Sequence, residues 1–290
     1  MIQGHSNYIY IYAHQVRQNF VINAYYMQDK KLYFYTMMQY PVPAQEQYFY
    51  YKVKSTPQSK SNTELIYNQH MQSHIQTIKK YNRLRKNLPY IEHIYLCDSL
   101  SFNAADEESD IDLFFIVKHG CIRRARLLSV IICSILGIKR SLSSKAGLFD
   151  LIFYVDEKHT NIQNIALQHE DIYLNYRLAH LMPLYQTKPY NIYNDNTRIQ
   201  KTLPNFPMKH TIQYETQKWS SWFKRIRELI RWSHPDNFWE QVIKWLRKPL
   251  VIRKKNKHKE EWRGIVITDQ MLKFHKDKRM RIQQDWESIK

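Results

Sequence analysis

The sequence predicts an α+β protein, and three patterns carry that reading. Short apolar runs of strand length, bounded by turn residues, occur at 91–97, 110–117 and 148–155. Longer stretches at 62–86, 122–137 and 171–181 have apolar residues at helical spacing. Further helical stripes fill the last ninety residues, where Lys and Arg crowd the polar positions.

The order of elements follows from local signals. Residues 1–60 are tyrosine-rich and alternate apolar with polar side chains, as in Tyr8-Ile9-Tyr10-Ile11-Tyr12 and Leu32-Tyr33-Phe34-Tyr35. Period-2 alternation reads as short strands, closing in a hairpin. Pro41, Pro43 and Pro57, with Ser55, Ser59 and Ser61, mark loops or a linker. A connecting helix over 62–86 follows, with Met71, Ile75 and Ile78 as its stripe. Lys79, Lys80, Arg83, Arg85 and Lys86 crowd its last turns, where cations suit the helix dipole. Pro89 stops it.

The chemistry-bearing residues lie in the next hundred positions. Asp110 and Asp112 open the second apolar run, in Ser109-Asp110-Ile111-Asp112-Leu113. Side chains two apart on a strand share a face, so the two carboxylates project together. Such a pair repels itself unless a cation lies between its members. Mg²⁺, a hard ion that takes carboxylate and phosphate oxygens together, is the expected one. A third carboxylate, Asp150, lies within the 148–155 run, and Asp98-Ser99 follows the first run. The structural alternative is an aspartate pair capping backbone amides at a loop-to-strand junction.

This order resembles the DNA polymerase β-like nucleotidyltransferase superfamily: a Gly-Ser turn after one strand, an Asp-x-Asp pair opening the next, and a third carboxylate on a later strand. The stretch is closer still to bacterial nucleotidyltransferase-domain proteins. That likeness runs through Lys118-His119-Gly120-Cys121-Ile122-Arg123, the helix ending at Gly137, Glu170-Asp171-Ile172-Tyr173-Leu174, Pro183-Leu184-Tyr185 and, faintly, Met271-Leu272-Lys273-Phe274-His275. The resemblance covers roughly residues 62–190. It implies a small mixed sheet flanked by helices, a catalytic domain at 89–190 and a diverged, winged-helix-like module at 1–60. It further implies that Asp110, Asp112 and Asp150 are catalytic and bind Mg²⁺ or Mn²⁺. Ser99, Asp98 and Arg123 would face the nucleoside triphosphate, whose monophosphate goes to an acceptor hydroxyl. One departure stands out. Asp98 occupies the turn's glycine position, adding bulk and negative charge where a bare backbone would approach the triphosphate.

Arg123, Arg124 and Arg126 start the long apolar helix, and Arg123 reads equally as a phosphate contact or a solvated charge. Glu170 and Asp171 cap the 171–181 helix, and His169 and His180 read as ordinary helix residues. In region 191–290, Trp219, Trp222, Phe223, Ile226 and Ile230 recur at helical spacing beside Arg225 and Arg227, and Phe238, Val242, Trp245 and Leu246 form a second stripe. Such stripes read first as packing faces. Sharper readings are tryptophan–arginine stacking on bases or contact with an anionic membrane. The run containing Lys254, Lys255 and Lys257 reads as an exposed linker and, secondarily, as a phosphate-contacting patch.

Composition bounds the rest. The chain has 290 residues and a formal net charge of +18, which calls for a polyanionic partner or a basic, soluble surface. Residues 201–290 hold 22 Lys/Arg against 10 Asp/Glu. RNA is therefore the favoured acceptor or partner. Three cysteines without metal-like spacing predict core thiols and a reducing, cytoplasmic setting. Without a basic stretch and apolar run at its start the sequence reads as having no signal peptide, and the longest apolar stretch, 127–138, is too short to span a bilayer. With five glycines and no GxGxxG or GxxxxGK, the commonest competing phosphate folds are excluded. Three readings of function remain: a metal-dependent nucleotidyltransferase, the same fold serving as an RNA-binding or scaffold module, or a peripheral membrane protein that uses the Trp/Arg helices.

Overall fold

A computed structural model describes residues 69–81, 88–102, 105–141, 146–167, 171–206, 238–257, 265–274 and 279–288. The expected N-terminal module and the helix carrying Trp219 to Ile230 lie outside the described residues. In chain order the elements are α1 (Gln69–Lys80), β1 (Ile91–Leu96), the short α2 (Asp98–Ser101), β2 (Ile111–Val117), α3 (Ile122–Ile135) and β3 (Phe149–Asp156). They continue with α4 (Ile172–Ala179), β4 (Met182–Gln186), α5 (Arg198–Thr202), α6 (Phe238–Lys257), β5 (Val266–Ile267), β6 (Met271–Lys273) and α7 (Arg279–Ser288). The protein is mixed α+β, with one six-stranded sheet flanked by helices.

The strand order is β4-β1-β2-β3-β6-β5. Only β2 and β3 run parallel, and the other neighbours are antiparallel. A parallel pair needs a crossover, and α3 with its flanking turns supplies it. β2 is central and buried at every position, as its near-continuous run of apolar residues requires.

Alternation along β2 divides the core in two. Ile111, Leu113, Phe115 and Val117 pack on one face with Ile78 of α1 and Ile122, Ala125 and Cys133 of α3. Phe114 and Ile116 pack on the other with Ile172, Leu174, Tyr176 and Leu178 of α4 and Ile199 of α5. Across β2 and β3, Phe115 stacks on Tyr154 at 4.5 Å between ring centroids, and Phe114 meets Phe153 edge-on at 4.9 Å. The three cysteines form no disulfide and are buried, as core thiols should be.

Two features of the C-terminal region differ from the expected helices and linker. Residues 266–273 contribute β5 and β6, and β6 pairs with β3, so this segment completes the central sheet. Strands of two and three residues are too short to show a period. The basic run through Lys254, Lys255 and Lys257 is the last part of α6, not a linker, because Lys and Arg favour helix as strongly as most residues. Residues Arg225 and Arg227 lie outside the described residues. α6 docks on α3 through the buried Glu240 and also buries Ile243, while Phe238, Trp245 and Leu246, expected to pack, are 61%, 72% and 57% exposed. Among the described residues no helix is long and apolar enough to cross a membrane.

Candidate metal centre

The parallel pairing of β2 and β3 brings three carboxylates together. Asp112 and Asp150 are direct register partners. Asp110 stands two residues before Asp112, on the Phe114/Ile116 side of the strand, as alternation requires. The loop between α3 and β3 is closed onto this edge: Ile111 N donates to Leu148 O at 2.8 Å and Gly147 N to Ser109 O at 2.9 Å. From the other side, His74 of α1 holds the same segment, with its Nε2 2.9 Å from Ser109 O. One oxygen each of Asp110, Asp112 and Asp150 lies within 4.8 Å of the others, a spacing suited to sharing one ion.

The electrostatics of this corner are strained. Burial raises the Asp112 pKa well above the carboxylate range, and Asp98, Asp110 and Asp150 raise it further, with Arg177 offsetting part. Asp110 is raised by burial and by Asp150, with Arg140 opposing. Arg140, just after α3, bridges two of the three: its Nη1 lies 2.5 Å from Asp150 Oδ2 and forms an ion pair with Asp110 Oδ2. The approach to Asp110 lacks hydrogen-bond geometry, so Asp110 Oδ2 is buried and ion-paired yet receives no hydrogen bond. Burial disfavours the Arg140 charge, but Asp110, Asp150 and Asp112 more than compensate and raise its pKa. A guanidinium thus supplies, for two of the carboxylates, the positive charge that the cluster demands.

Asp98 behaves differently from a charge aimed at a phosphate. Its φ is +58°, the left-handed conformation that glycine adopts freely, so the turn keeps the backbone shape expected of a glycine there. Its carboxylate meets Arg177 Nη2 of α4 at 2.5 Å, with both side chains almost fully buried, 7% and 4% exposed. The Cys97 thiol also donates to Asp98 Oδ2, at 3.6 Å. Burial works against the Arg177 charge, and Asp98 outweighs it, raising the guanidinium pKa. Ser99 is half-buried in α2, one residue on.

Arg123 is not brought to the carboxylates. It lies in the first turn of α3, beyond the far end of β2, a strand of seven residues or roughly 23 Å that begins beside Asp110. It is also not a solvated charge. Its side chain pairs with Asp269 at 2.5 Å and Glu240 at 3.6 Å, while Glu240 accepts the backbone N–H groups of Arg123 and Arg124 and so caps α3 from α6. Asp171 caps α4 as expected, accepting from Leu174 N at 3.1 Å. His180 bonds within its own helix, with Nδ1 2.8 Å from Tyr176 O.

Arg140, Arg177 and His74 were not singled out in the sequence. Arg177 carried a usable signal: it stands in Ile-Tyr-Leu-Asn-Tyr-Arg-Leu-Ala, a helix buried on all sides, where a lone cation demands a buried anion. Arg140 and His74 had no local signal, since both act across loops. Compared with protein-family models, curated proteins and solved structures, the chain matches none.

Proposed function

We propose that this chain is a metal-dependent nucleotidyltransferase of the DNA polymerase β-like type, moving a nucleoside monophosphate from a nucleoside triphosphate to an acceptor hydroxyl, with an RNA end as the favoured acceptor. The convergence of Asp110, Asp112 and Asp150 on one corner of a parallel strand pair carries this reading. An all-oxygen donor set of three carboxylates fits a hard ion such as Mg²⁺ or Mn²⁺. When bound, that ion supplies charge neutralisation for the triphosphate and acidifies the acceptor hydroxyl.

The chain's own residues have separable tasks in this reading. Asp110 and Asp112 hold the ion on the strand edge, and Asp150, closest to solvent with Asp110, faces the acceptor. Asp98 spends its charge on Arg177 rather than on the phosphates, which removes much of the objection to an acidic residue at the turn. In this reading the Ser99 hydroxyl donates to a phosphate oxygen. Arg140, which pairs with Asp110 and Asp150, would give up these carboxylates to a bound ion, and its guanidinium would be available to a triphosphate. The net charge of +18 favours a polyanionic acceptor.

A second reading has a specific observation behind it. Arg140 already satisfies two of the three carboxylates, as it would in a fold that has given up its ion and serves as an RNA-binding module. Label transfer separates the two. The purified protein is incubated with each α-labelled nucleoside triphosphate, Mg²⁺ or Mn²⁺ and cellular RNA and protein, beside an Asp110→Ala/Asp112→Ala variant. Label that appears with the wild type and not the variant supports transferase activity, and its carrier names the acceptor. No transfer, with RNA held equally by both proteins, leaves the binding module.

A further inference from the structure

The parallel β2–β3 pair has a second cluster at its other end. Asp156 closes β3 opposite Val117, the last residue of β2. His119 follows β2, and His159 follows β3. His119 Nδ1 lies 3.0 Å from Asp156 Oδ1 and 3.1 Å from Oδ2, and His159 Nδ1 lies 3.2 Å from Oδ1. Asp156 is buried, 1% exposed. The His119 and His159 side chains are 48% and 37% exposed.

We propose that His119, Asp156 and His159 form a binding site for a borderline divalent transition metal of the Zn²⁺ class, separate from the carboxylate corner. Zn²⁺ binds imidazole nitrogen and carboxylate oxygen at about 2.0–2.2 Å, and tetrahedral ligands at that radius sit roughly 3.4 Å apart. The contacts from each imidazole to Asp156 are within a few tenths of an ångström of this value, and one ligand atom from each residue falls within 4.8 Å of the others. Each ring has to move outward from Asp156 by a few tenths of an ångström to admit an ion. Two nitrogens and one oxygen suit Zn²⁺, Co²⁺ or Ni²⁺ and not Mg²⁺, which takes oxygen.

The carboxylate is prepared for this task by its surroundings. Gly120 N donates to Asp156 Oδ2 and Lys158 N to Oδ1, both at 2.9 Å, so the backbone of two turns fixes its orientation. Outer hydrogen bonds of this kind are what orient first ligands in metal sites. Glu157 is anchored alongside, its Oε1 accepting from His119 N at 3.0 Å, and adds a further negative charge to the rim. Exposed imidazoles over a buried carboxylate give the ion an approach from solvent and leave room for a water ligand. Bound there, the ion ties the β2–α3 turn to the turn after β3, and so clamps the two central strands at the end opposite Asp110.

The test is Co²⁺ titration of the metal-free full-length chain, read by the visible d–d absorption of tetrahedral cobalt and by displacement with Zn²⁺. The expected result is one equivalent of high-affinity Co²⁺, unaffected by excess Mg²⁺ and retained in the Asp110→Ala/Asp112→Ala variant. His119→Ala and His159→Ala each lower that affinity by at least about tenfold. Both rings are partly exposed, so circular dichroism should show the variants folded. Absence of tetrahedral cobalt in the wild type, or binding unchanged in both histidine variants, overturns the site. Loss of binding in the Asp110→Ala/Asp112→Ala variant alone would place the ion at the other end of the strands and overturn it equally. None of these outcomes depends on whether nucleotidyl transfer occurs.

Discussion

Truncating Arg177 tests how the acidic turn is tolerated. In Arg177→Leu, Asp98 keeps its place beside Asp112 but loses its counter-ion. Both side chains are almost wholly buried at a separation of 2.5 Å, and Asp98 Oδ1 already lacks any hydrogen-bond donor. Little besides the weak Cys97 thiol donor then remains for the carboxylate. Removing one member of such a pair costs about 3–5 kcal/mol, because the survivor is a desolvated charge without compensation. The double variant Asp98→Gly/Arg177→Leu removes both charges and puts glycine at a φ of +58°, relieving about 1–2 kcal/mol of left-handed strain. It should therefore regain most of what Arg177→Leu loses, with a coupling between the two sites on the order of 3 kcal/mol. Urea denaturation followed by tryptophan fluorescence measures all four proteins of the cycle. A cost for Arg177→Leu under about 1 kcal/mol, the scale of a surface pair, would refute the account, as would a double variant no better than the sum of the singles.

Two further outcomes follow from the carboxylate corner. Folding raises the Asp112 and Asp110 pKa values, so the folded state holds their protons more tightly than the unfolded chain. That contribution is fully present below the unfolded carboxylate value of about 4 and is lost as pH rises through the raised folded values. Thermal melts of the metal-free protein should thus show Asp112→Asn gaining on the wild type with rising pH, and a difference constant with pH would count against it. Arg140→Gln removes a positive charge from the place where an ion would sit, so Mn²⁺ binding measured without nucleotide should tighten by about 1 kcal/mol, near fivefold. Unchanged or weaker binding would separate Arg140 from the ion's position.

How much of this was legible in the sequence depended on range. The Asp110/Asp112 pair announced its shared face through strand periodicity, a property of five consecutive residues. The joining of Asp150 to that pair required the parallel register of β2 and β3, which the runs suggested in kind but not in alignment. Arg140 and His74 were invisible because each reaches the site through a loop or another helix, and no local pattern encodes such a meeting. Arg123 shows the converse error: a basic residue at a helix start reads as exposed or phosphate-bound, while Glu240 and Asp269, over a hundred residues later, bury and neutralise it. The Trp245 and Leu246 stripe had helical spacing, but α6 turned a glutamate and an isoleucine inward because Glu240 caps α3.

The pairing of β6 with β3 sets a timetable for the growing chain. Val155 has Met271 as its register partner, so one edge of β3 stays bare until more than a hundred further residues have left the ribosome. Through that interval the strand carrying Asp150 presents open N–H and C=O groups beside a hydrophobic surface, a template for any passing extended segment. A chain ending before residue 265 would keep all three carboxylates and yet be left with a sticky, unfinished sheet. Fusions and truncations meant to isolate the central hundred residues should accordingly carry 265–274 with them, supplied in the same chain or as an added strand.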